Sequence, residues 1–342
     1  MDPASSTSSS KILRYAGLAL VLLVSVVLFD RVWYALLFGQ YDKMFSMSKN
    51  FKPANTLIVG SSHILWDLDP EVLAKETGKP VVLLNVPGAN LTLRKEIVSE
   101  YLKKNRAQLP SLLVLETDKF AFNPDRYPDS AYKSVKGYYH KGLFVDFLDQ
   151  KVPQESPVEY WTFRISHSYS LNSFSHFILS KLYDKYLSSV FVWKLNAEST
   201  TETKKQTQEG ANGDPKKGQV AEQDIRIAEW KKQYEGLAPK VDPELIQELY
   251  EILKFTRTHG VKTVLLETPN YFFSQEDDRR YEIVRNELKR IAEQSNAVYL
   301  RLNPDRFETR PELFFDASHF NLLGKAEYTA VFRTELQKKS LF

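Results

Sequence analysis

The sequence has no cysteine among its 342 residues. This absence excludes disulfide bonds, zinc sites with thiolate ligands and catalysis by a thiol. The chain is also nearly balanced in charge. It has 46 Lys and Arg residues and 43 Asp and Glu residues, which gives a formal net charge of +3. A strongly basic nucleic-acid-binding protein and a disordered acidic chain are therefore disfavoured, and we expect no nucleic-acid partner.

Glycine-rich phosphate-binding loops are also absent from the sequence. His140, His167, His176 and His259 are scattered without the spacing of metal ligands. We therefore expect no cofactor and no metal ion.

One apolar run is long enough to cross a membrane. Residues 12–29 are apolar except for Arg14, Tyr15 and Ser25, and as a helix they span about 27 Å, close to the roughly 30 Å of a hydrocarbon core. No Ala-x-Ala cleavage pattern follows the run. We interpret residues 12–34 as an uncleaved transmembrane signal anchor; a buried core helix and a cleaved signal peptide are the alternatives.

The charges that flank the run predict its orientation. Lys11 and Arg14 precede most of it, whereas Asp30 and Arg31 follow it without net charge. By the positive-inside rule, residues 1–11 form a cytoplasmic tail and the rest of the chain lies outside the membrane. Trp33 and Tyr34 then suit the aromatic belt of the outer interface.

Beyond the anchor, short β-rich runs alternate with helical patterns, which is typical of a parallel sheet covered by helices. The predicted strands are 56–59, 81–84, 112–116, 262–267 and 298–302. The predicted helices are 69–77, 92–105, 243–259, 275–295 and 322–338. The pattern predicts an α/β fold: a single flavodoxin-like, three-layer domain with about five parallel strands.

A long insertion, residues 123–240, divides this domain into a first part, 50–122, and a second part, 241–342. Residues 198–224 are rich in Thr, Gln, Lys and Glu, and we expect them to be disordered. The flanks of the insertion are aromatic, which indicates either a helical core or a carbohydrate-stacking surface. The aromatic residues are Tyr138, Tyr139, Tyr160, Trp161, Tyr169, Phe174, Phe177, Tyr183, Tyr186 and Trp193.

Two motifs are predicted to meet at one edge of the sheet. Ser62 follows the first strand, and Asp316 and His319 lie in the loop before the last helix. Ligands of α/β folds bind beyond the carboxyl ends of the strands. A carboxylate three residues before an imidazole can bond one ring nitrogen and leave the other for a hydroxyl. Ser62, His319 and Asp316 are therefore a candidate catalytic triad. We expect Oγ of Ser62 to lie within roughly 4 Å of a ring nitrogen of His319.

With these motifs the sequence resembles the SGNH (GDSL-like) hydrolase superfamily. Gly60-Ser61-Ser62 is similar to the family's nucleophile motif, with Ser in place of Asp, and Asp316-x-x-His319 matches its C-terminal motif. The resemblance implies that Ser62 is the nucleophile and that Gly88, after the second strand, contributes its amide to an oxyanion hole. The family's third motif, with its Asn, is missing after the third strand, where Glu116-Thr117-Asp118 stands. Asn90 and Thr117 are the candidate substitutes for this Asn.

The anchor and the Gly-Ser-Ser motif also resemble membrane-anchored members of the superfamily that act on bacterial surface polymers. These include the D-alanyl-lipoteichoic-acid transfer protein and the alginate O-acetylation proteins. The resemblance covers residues 55–118 and 261–338 but not the insertion. It implies a single-pass protein of the bacterial cytoplasmic membrane whose C-terminal domain is extracytoplasmic.

This resemblance implies an esterase or acyltransferase that acts on O-acyl groups, chiefly O-acetyl, of a surface polysaccharide. A membrane-bound O-acyltransferase is the protein partner that it suggests. The alternative is a non-catalytic scaffold that binds a glycan or such an acyltransferase, and the missing third motif favours that alternative.

Overall fold

The computed structural model of the chain describes residues 6–45, 47–124, 129–172, 239–271 and 278–341, together with the single residues 225 and 228. Two groups of residues discussed above lie outside these ranges. They are residues 198–224, which we expect to be disordered, and the aromatic residues Phe174, Phe177, Tyr183, Tyr186 and Trp193. The chain divides into two compact units, Met1–Met44 with Tyr132–Phe191 and Phe45–Ala131 with Val192–Phe342.

The second unit contains a five-stranded sheet with strand order β2-β1-β3-β4-β5, and every pair of neighbouring strands is parallel. The strands are β1 Thr56–Gly60, β2 Val81–Asn85, β3 Leu112–Thr117, β4 Lys262–Glu267 and β5 Val298–Arg301. This order is that of the flavodoxin-like doubly wound fold. The α/β fold class predicted from the sequence is confirmed.

The strands lie in the interior of the second unit because their residues are apolar in almost continuous runs. All residues of β1 and β3 are buried, as expected for a parallel sheet with both faces covered. Among the described residues, the α-helices are α1 Ser6–Phe45, α2 Met47–Asn50, α3 Ser62–Asp67, α4 Pro70–Thr77, α5 Leu91–Lys104, α6 Val145–Glu155, α7 Pro157–Ile165, α8 Pro243–Thr258, α9 Glu282–Gln294, α10 Pro304–Phe307 and α11 Leu322–Lys338.

The sheet lies between two helical layers. On one face, Ile58, Val114 and Val264 pack in a core with residues of α3, α4 and α11, including Leu73 and Phe332. Helices α5 and α8 contact each other, and they contact β1 and β4 respectively. Because all five strands are parallel, the loops that follow them lie at one edge of the sheet.

Local capping explains most helix boundaries. Asp69 caps α4 by accepting the N–H groups of Glu71 and Val72, and Asn321 caps α11 in the same way. The short helix α3 was not predicted, because its six residues are too few for a periodic pattern. Helix α9 begins at Glu282 rather than 275, and residues 275–277 of that predicted helix lie outside the described ranges.

The first unit contains α1, α6 and α7. Helix α1 is the one described helix that is long and apolar enough to cross a membrane, and residues 11–29 are exposed. Its later part is instead buried within the unit: the hydroxyl of Tyr34 donates to the carbonyl of Gly137 at 2.9 Å, and that of Tyr41 donates to the carbonyl of Ser134 at 2.6 Å. The assignment of Tyr34 to an aromatic belt is therefore wrong, because this side chain is part of a protein core.

The aromatic side chains of residues 132–172 have two environments. Tyr138 and Tyr160 are buried, in agreement with the helical-core interpretation. Trp161 is exposed.

Candidate active site

Ser62 is presented by the turn between β1 and α3. Strand β1 ends at Gly60, and the hydroxyl oxygen of Ser61 caps α3 by accepting the N–H of His63. Ser62 is the first residue of α3 and is partly exposed. Its hydroxyl therefore lies beyond the carboxyl end of β1, which pairs with β2 on one side and β3 on the other.

Asp316 and His319 lie in a tight loop before α11. The loop is closed by an antiparallel bridge between Phe314 and Phe320. The carboxylate of Asp316 accepts the backbone N–H of Ser318 at 2.8 Å and that of His319 at 2.9 Å. These bonds fix the carboxylate beside Nδ1 of the imidazole ring.

The three side chains form a connected chain of hydrogen bonds. Nδ1 of His319 lies 2.8 Å from Oδ2 of Asp316, and Nε2 lies 2.9 Å from Oγ of Ser62. An ionised carboxylate can only accept, so Nδ1 carries the ring proton and Nε2 accepts the hydroxyl proton of Ser62. Ser62 and His319 are 257 positions apart in the sequence, and the expected distance between them is confirmed.

Asp316 is held in its ionised form. Its burial would raise the pKa of the carboxyl group, but the hydrogen bonds from the His319 ring and from the backbone N–H groups of Ser318 and His319 outweigh this and lower the pKa. A negative Asp316 stabilises a positive charge on the imidazole when the ring takes up a proton.

A buried carboxylate supports the turn that carries Ser62. Glu116, near the end of β3, accepts the backbone N–H of Ser61 at 2.5 Å and its hydroxyl at 2.7 Å. Arg94 of α5 donates to the Glu116 carboxylate at 3.0 Å and to the Glu116 carbonyl at 2.7 Å. Both side chains are at most 1% exposed. The pair was not predicted, and its only signal in the sequence is a Glu in an otherwise apolar strand.

Gly60 is required by this arrangement. A Cβ atom at this position would overlap the carboxylate and Cβ of Glu116. Only glycine lets the end of β1 pass this close to the Glu116 side chain.

His63, Glu116 and Asp118 place potential metal-ligand atoms within 4.8 Å of one another, and all three residues are buried. The guanidinium of Arg94 already neutralises Glu116, and Asp118 accepts the N–H of Phe120 at 2.8 Å. Both oxygens of the Glu116 carboxylate therefore already have hydrogen-bond donors, from Ser61, Ile64 and Arg94. The His63 ring contacts the His319 ring edge to face at a centroid distance of 4.9 Å.

The three predicted oxyanion residues have different surroundings. Gly88 is exposed in a turn and has a φ of 70°, a conformation that favours glycine. Asn90 caps α5, with its side-chain oxygen accepting the N–H of Leu93 at 3.0 Å. Thr117 is buried, and its carbonyl accepts the N–H of Thr268 at 2.9 Å. Their oxyanion roles stay predictions.

Two large aromatic side chains lie beside the triad. Phe315 is 37% exposed and Trp66 is 38% exposed. The Phe315 ring is nearly parallel to the His319 ring, with 5.5 Å between centroids, and the Trp66 ring packs against Phe315 at 5.0 Å. The imidazole is therefore flanked by an exposed apolar surface, here termed the Trp66–Phe315 surface.

Comparisons with known proteins give structural likenesses only. No protein-family model matches the chain, and no curated protein matches it. The crystal structure of TesA aligns with a TM-score of 0.39 and 12% sequence identity. The alignment covers 83% of this chain and 98% of the TesA chain. Axe2, an acetylxylan esterase from Geobacillus stearothermophilus, is 10% identical, with a TM-score of 0.37, covering 84% of this chain and 96% of its own.

The psychrotrophic esterase EstA from Pseudoalteromonas sp. is likewise 10% identical, with a TM-score of 0.38, covering 83% of this chain and 98% of its own. Likenesses at these TM-scores carry no inference about activity.

Proposed function

We propose that this chain is a membrane-anchored serine esterase or acyltransferase of the SGNH hydrolase type, acting on O-acyl groups of a cell-surface glycan. The observation that supports the activity best is the hydrogen-bonded series Asp316, His319 and Ser62, at 2.8 and 2.9 Å. A hydroxyl with a base in reach, and a carboxylate that orients the base, is the arrangement of an activated nucleophile.

In the proposed reaction, Nε2 of His319 takes the hydroxyl proton of Ser62 while Oγ forms a bond to the acyl carbon. The carbonyl oxygen becomes an oxyanion, for which the backbone N–H groups of Ser62 and Gly88 are the proposed donors. The bond to the glycan oxygen then breaks, and this oxygen receives the proton from His319. The acyl group is left as an ester on Ser62.

The second half of the reaction regenerates the enzyme. A water molecule or a sugar hydroxyl gives its proton to His319 and attacks the acyl carbon. The bond to Oγ breaks, and Ser62 recovers its proton from His319. With water the protein is an esterase, and with a sugar hydroxyl it is an acyltransferase.

A glycan substrate is supported by the Trp66–Phe315 surface. Its two rings are each more than one-third exposed beside the imidazole, although burial of such side chains is normally favourable. The apolar face of a sugar ring can cover a flat aromatic surface of this kind.

Membrane anchoring is supported by the exposed apolar part of α1. Lys11 and Arg14 favour a cytoplasmic N-terminus and an extracytoplasmic C-terminal domain. Protease added to spheroplasts is then expected to digest the domain and to leave a short N-terminal fragment. Protection of the whole domain would contradict this orientation.

The second candidate function is a scaffold that binds a glycan or a membrane-bound O-acyltransferase. It is favoured by one observation: Glu116-Thr117-Asp118 at the end of β3 offers no side-chain amide for an oxyanion. The full-length protein in detergent should be tested with a chromogenic acetyl ester, beside Ser62→Ala. Turnover that depends on Ser62 supports the enzyme, and equal background rates support the scaffold.

The choice between hydrolysis and transfer is made in the same assay. Addition of an oligosaccharide is expected to divert acetyl groups from water to sugar if the protein is a transferase. Free acetate alone, at every oligosaccharide concentration, identifies an esterase.

A further inference from the structure

Helix α7 is apolar on two sides. Tyr160 and Phe163 are buried within the first unit. On the outward side Val158 is 79% exposed, Trp161 59% and Ile165 74%. These three positions are separated by three and four residues, so they share one face of the helix. They are here termed the α7 face.

An exposed stripe of this kind indicates a contact with an apolar environment. Single exposed apolar residues are common, but three on one short helix, including a Trp, form a continuous patch. The same side of α7 also exposes Arg164, whose guanidinium lies 5.6 Å from the centre of a Trp161 ring. A Trp with a neighbouring Arg is typical of helices at a membrane surface.

The carboxyl end of α7 is tied to α1 through Asp30. The Asp30 carboxylate accepts the Ser166 hydroxyl at 2.7 Å, the backbone N–H of His167 at 2.9 Å, and both the N–H and the hydroxyl of Ser168, at 3.1 and 2.6 Å. Ile165 directly precedes Ser166. The α7 face therefore ends at the level of Asp30 on α1.

The environment of α1 changes within one helical turn after Asp30. Residues 11–29 are exposed and mostly apolar, whereas Tyr34 and Leu37 are buried in protein. If residues 12–29 cross the bilayer, as the proposed anchoring requires, Asp30 lies where the helix leaves the hydrocarbon core. A bilayer has roughly 5–8 Å of interfacial region on each side of that core.

We propose that the α7 face contacts the lipid bilayer, with Val158, Trp161 and Ile165 in the interfacial region of the leaflet from which α1 emerges. Ile165 is held at the depth of Asp30, and Trp161 lies four residues, or about 6 Å along the helix, from it. Trp161 thus lies within reach of the interface, where Trp is enriched in membrane proteins. This inference rests on the anchoring part of the proposed function and not on catalysis.

The contact gives the first unit a second attachment to the membrane. A single helix leaves a protein free to rotate about the helix axis and to tilt. Because α7 is fixed to α1 by the Asp30 hydrogen bonds, lipid contact of the α7 face would hold this unit in one orientation at the membrane surface.

The absence of cysteine makes a direct test simple. Three exposed valines are replaced one at a time in the full-length protein: Val21→Cys in α1, Val158→Cys in α7 and Val72→Cys in α4. Each is labelled with a nitroxide after reconstitution into vesicles of phosphatidylethanolamine and phosphatidylglycerol. Collision with oxygen, which concentrates in lipid, is compared with collision with a water-soluble nickel complex.

We expect the ratio of oxygen to nickel accessibility at Val158→Cys to be several-fold higher than at Val72→Cys and lower than at Val21→Cys. Ile165→Cys should behave as Val158→Cys does. A ratio at both α7 positions equal to that at Val72→Cys, with Val21→Cys in lipid, would overturn the α7 contact and leave the anchor standing.

Two other outcomes also count against the inference. If Val21→Cys is in water, the anchor itself is wrong, and the α7 contact is wrong with it. If the α7 positions are shielded from both reagents, protein rather than lipid covers the α7 face. The catalytic proposal is unaffected by any of these results, because ester turnover is measured separately.

Discussion

The carboxylate of Glu116 accepts both the backbone N–H and the hydroxyl of Ser61, the residue immediately before the candidate nucleophile. It therefore determines the path of the chain between β1 and α3. Arg94 neutralises the carboxylate in an environment from which water is excluded. The position of Ser62 relative to His319 thus depends on a buried ion pair that itself belongs to neither motif.

Arg94→Met is expected to destabilise the fold strongly and to reduce turnover in the molecules that remain folded. Removal of the guanidinium leaves Glu116 as an unpaired buried charge, a change that typically costs about 3–5 kcal/mol. The matched control is Arg290→Met, which breaks the pair with Glu287 at a side chain that is 48% exposed and should change stability little. Urea unfolding of the full-length protein in detergent measures both; equal shifts in the two variants would contradict the structural role of the pair.

Ser62→Ala, His319→Ala and the double variant should be about equally inactive. Residues that act as one unit give losses that do not add, and each single loss is expected to be on the order of a thousandfold or more. Asp316→Asn should lose less, because it changes the orientation and charge of the His319 environment but keeps the base. The rates are measured on a chromogenic acetyl ester, with circular dichroism to establish folding. A double variant much less active than either single variant would show that Ser62 and His319 act independently.

Much of this architecture could be predicted from local patterns. Strand β4 and helix α11 were predicted with their observed ends, because β-rich runs and helical patterns alternate clearly in this part of the sequence. The approach of Ser62 to His319 followed from the rule that the carboxyl ends of parallel strands share an edge.

Long-range polar contacts could not be predicted in the same way. Arg94 is a cation in an ordinary helical pattern, and its burial depends on where α5 packs against the sheet. The bonds from Asp30 to residues 166–168 likewise join positions more than a hundred residues apart. Neither contact leaves a local signal, although the single Glu within the apolar β3 indicates that a buried charge requires a partner.

Trp66→Ala should weaken the use of a glycan substrate and spare a small ester. If a sugar ring covers the Trp66–Phe315 surface, its loss raises KM for an acetylated oligosaccharide by roughly tenfold, the equivalent of about 1.4 kcal/mol. The chromogenic acetyl ester lacks the sugar and should be turned over at the normal rate. Ile283→Ala, at an exposed apolar residue of α9, is the control. Equal losses on both substrates would assign Trp66 a structural role.

Asp67→Asn should remove a pH dependence of stability. Burial raises the pKa of Asp67 well above its usual range, and the charge of Glu116 adds to this shift; neither carboxyl oxygen of Asp67 has a hydrogen-bond partner among the described residues. In the unfolded chain the carboxyl ionises at a pKa of about 3.9. Above this pH the unfolded state releases a proton that the native state keeps, so wild-type stability falls as pH rises, by about 1.4 kcal/mol per pH unit for this one group.

The stabilising effect of the protonated Asp67 is thus complete below the unfolded pKa and is lost as pH rises towards the folded pKa. Urea unfolding from pH 4 to pH 7 should therefore show Asp67→Asn gaining stability relative to the wild type. A constant difference between the two proteins over this range would mean that Asp67 is ionised in the native state.

The central claim is that His319 activates the hydroxyl of Ser62, and covalent labelling tests it most directly. The full-length protein is incubated with a fluorophosphonate, and the modified peptide is identified by mass spectrometry. We expect one label, on Ser62, in the wild type, and none in folded Ser62→Ala or His319→Ala. A folded wild type that remains unlabelled, or a label that persists in Ser62→Ala, would contradict the account.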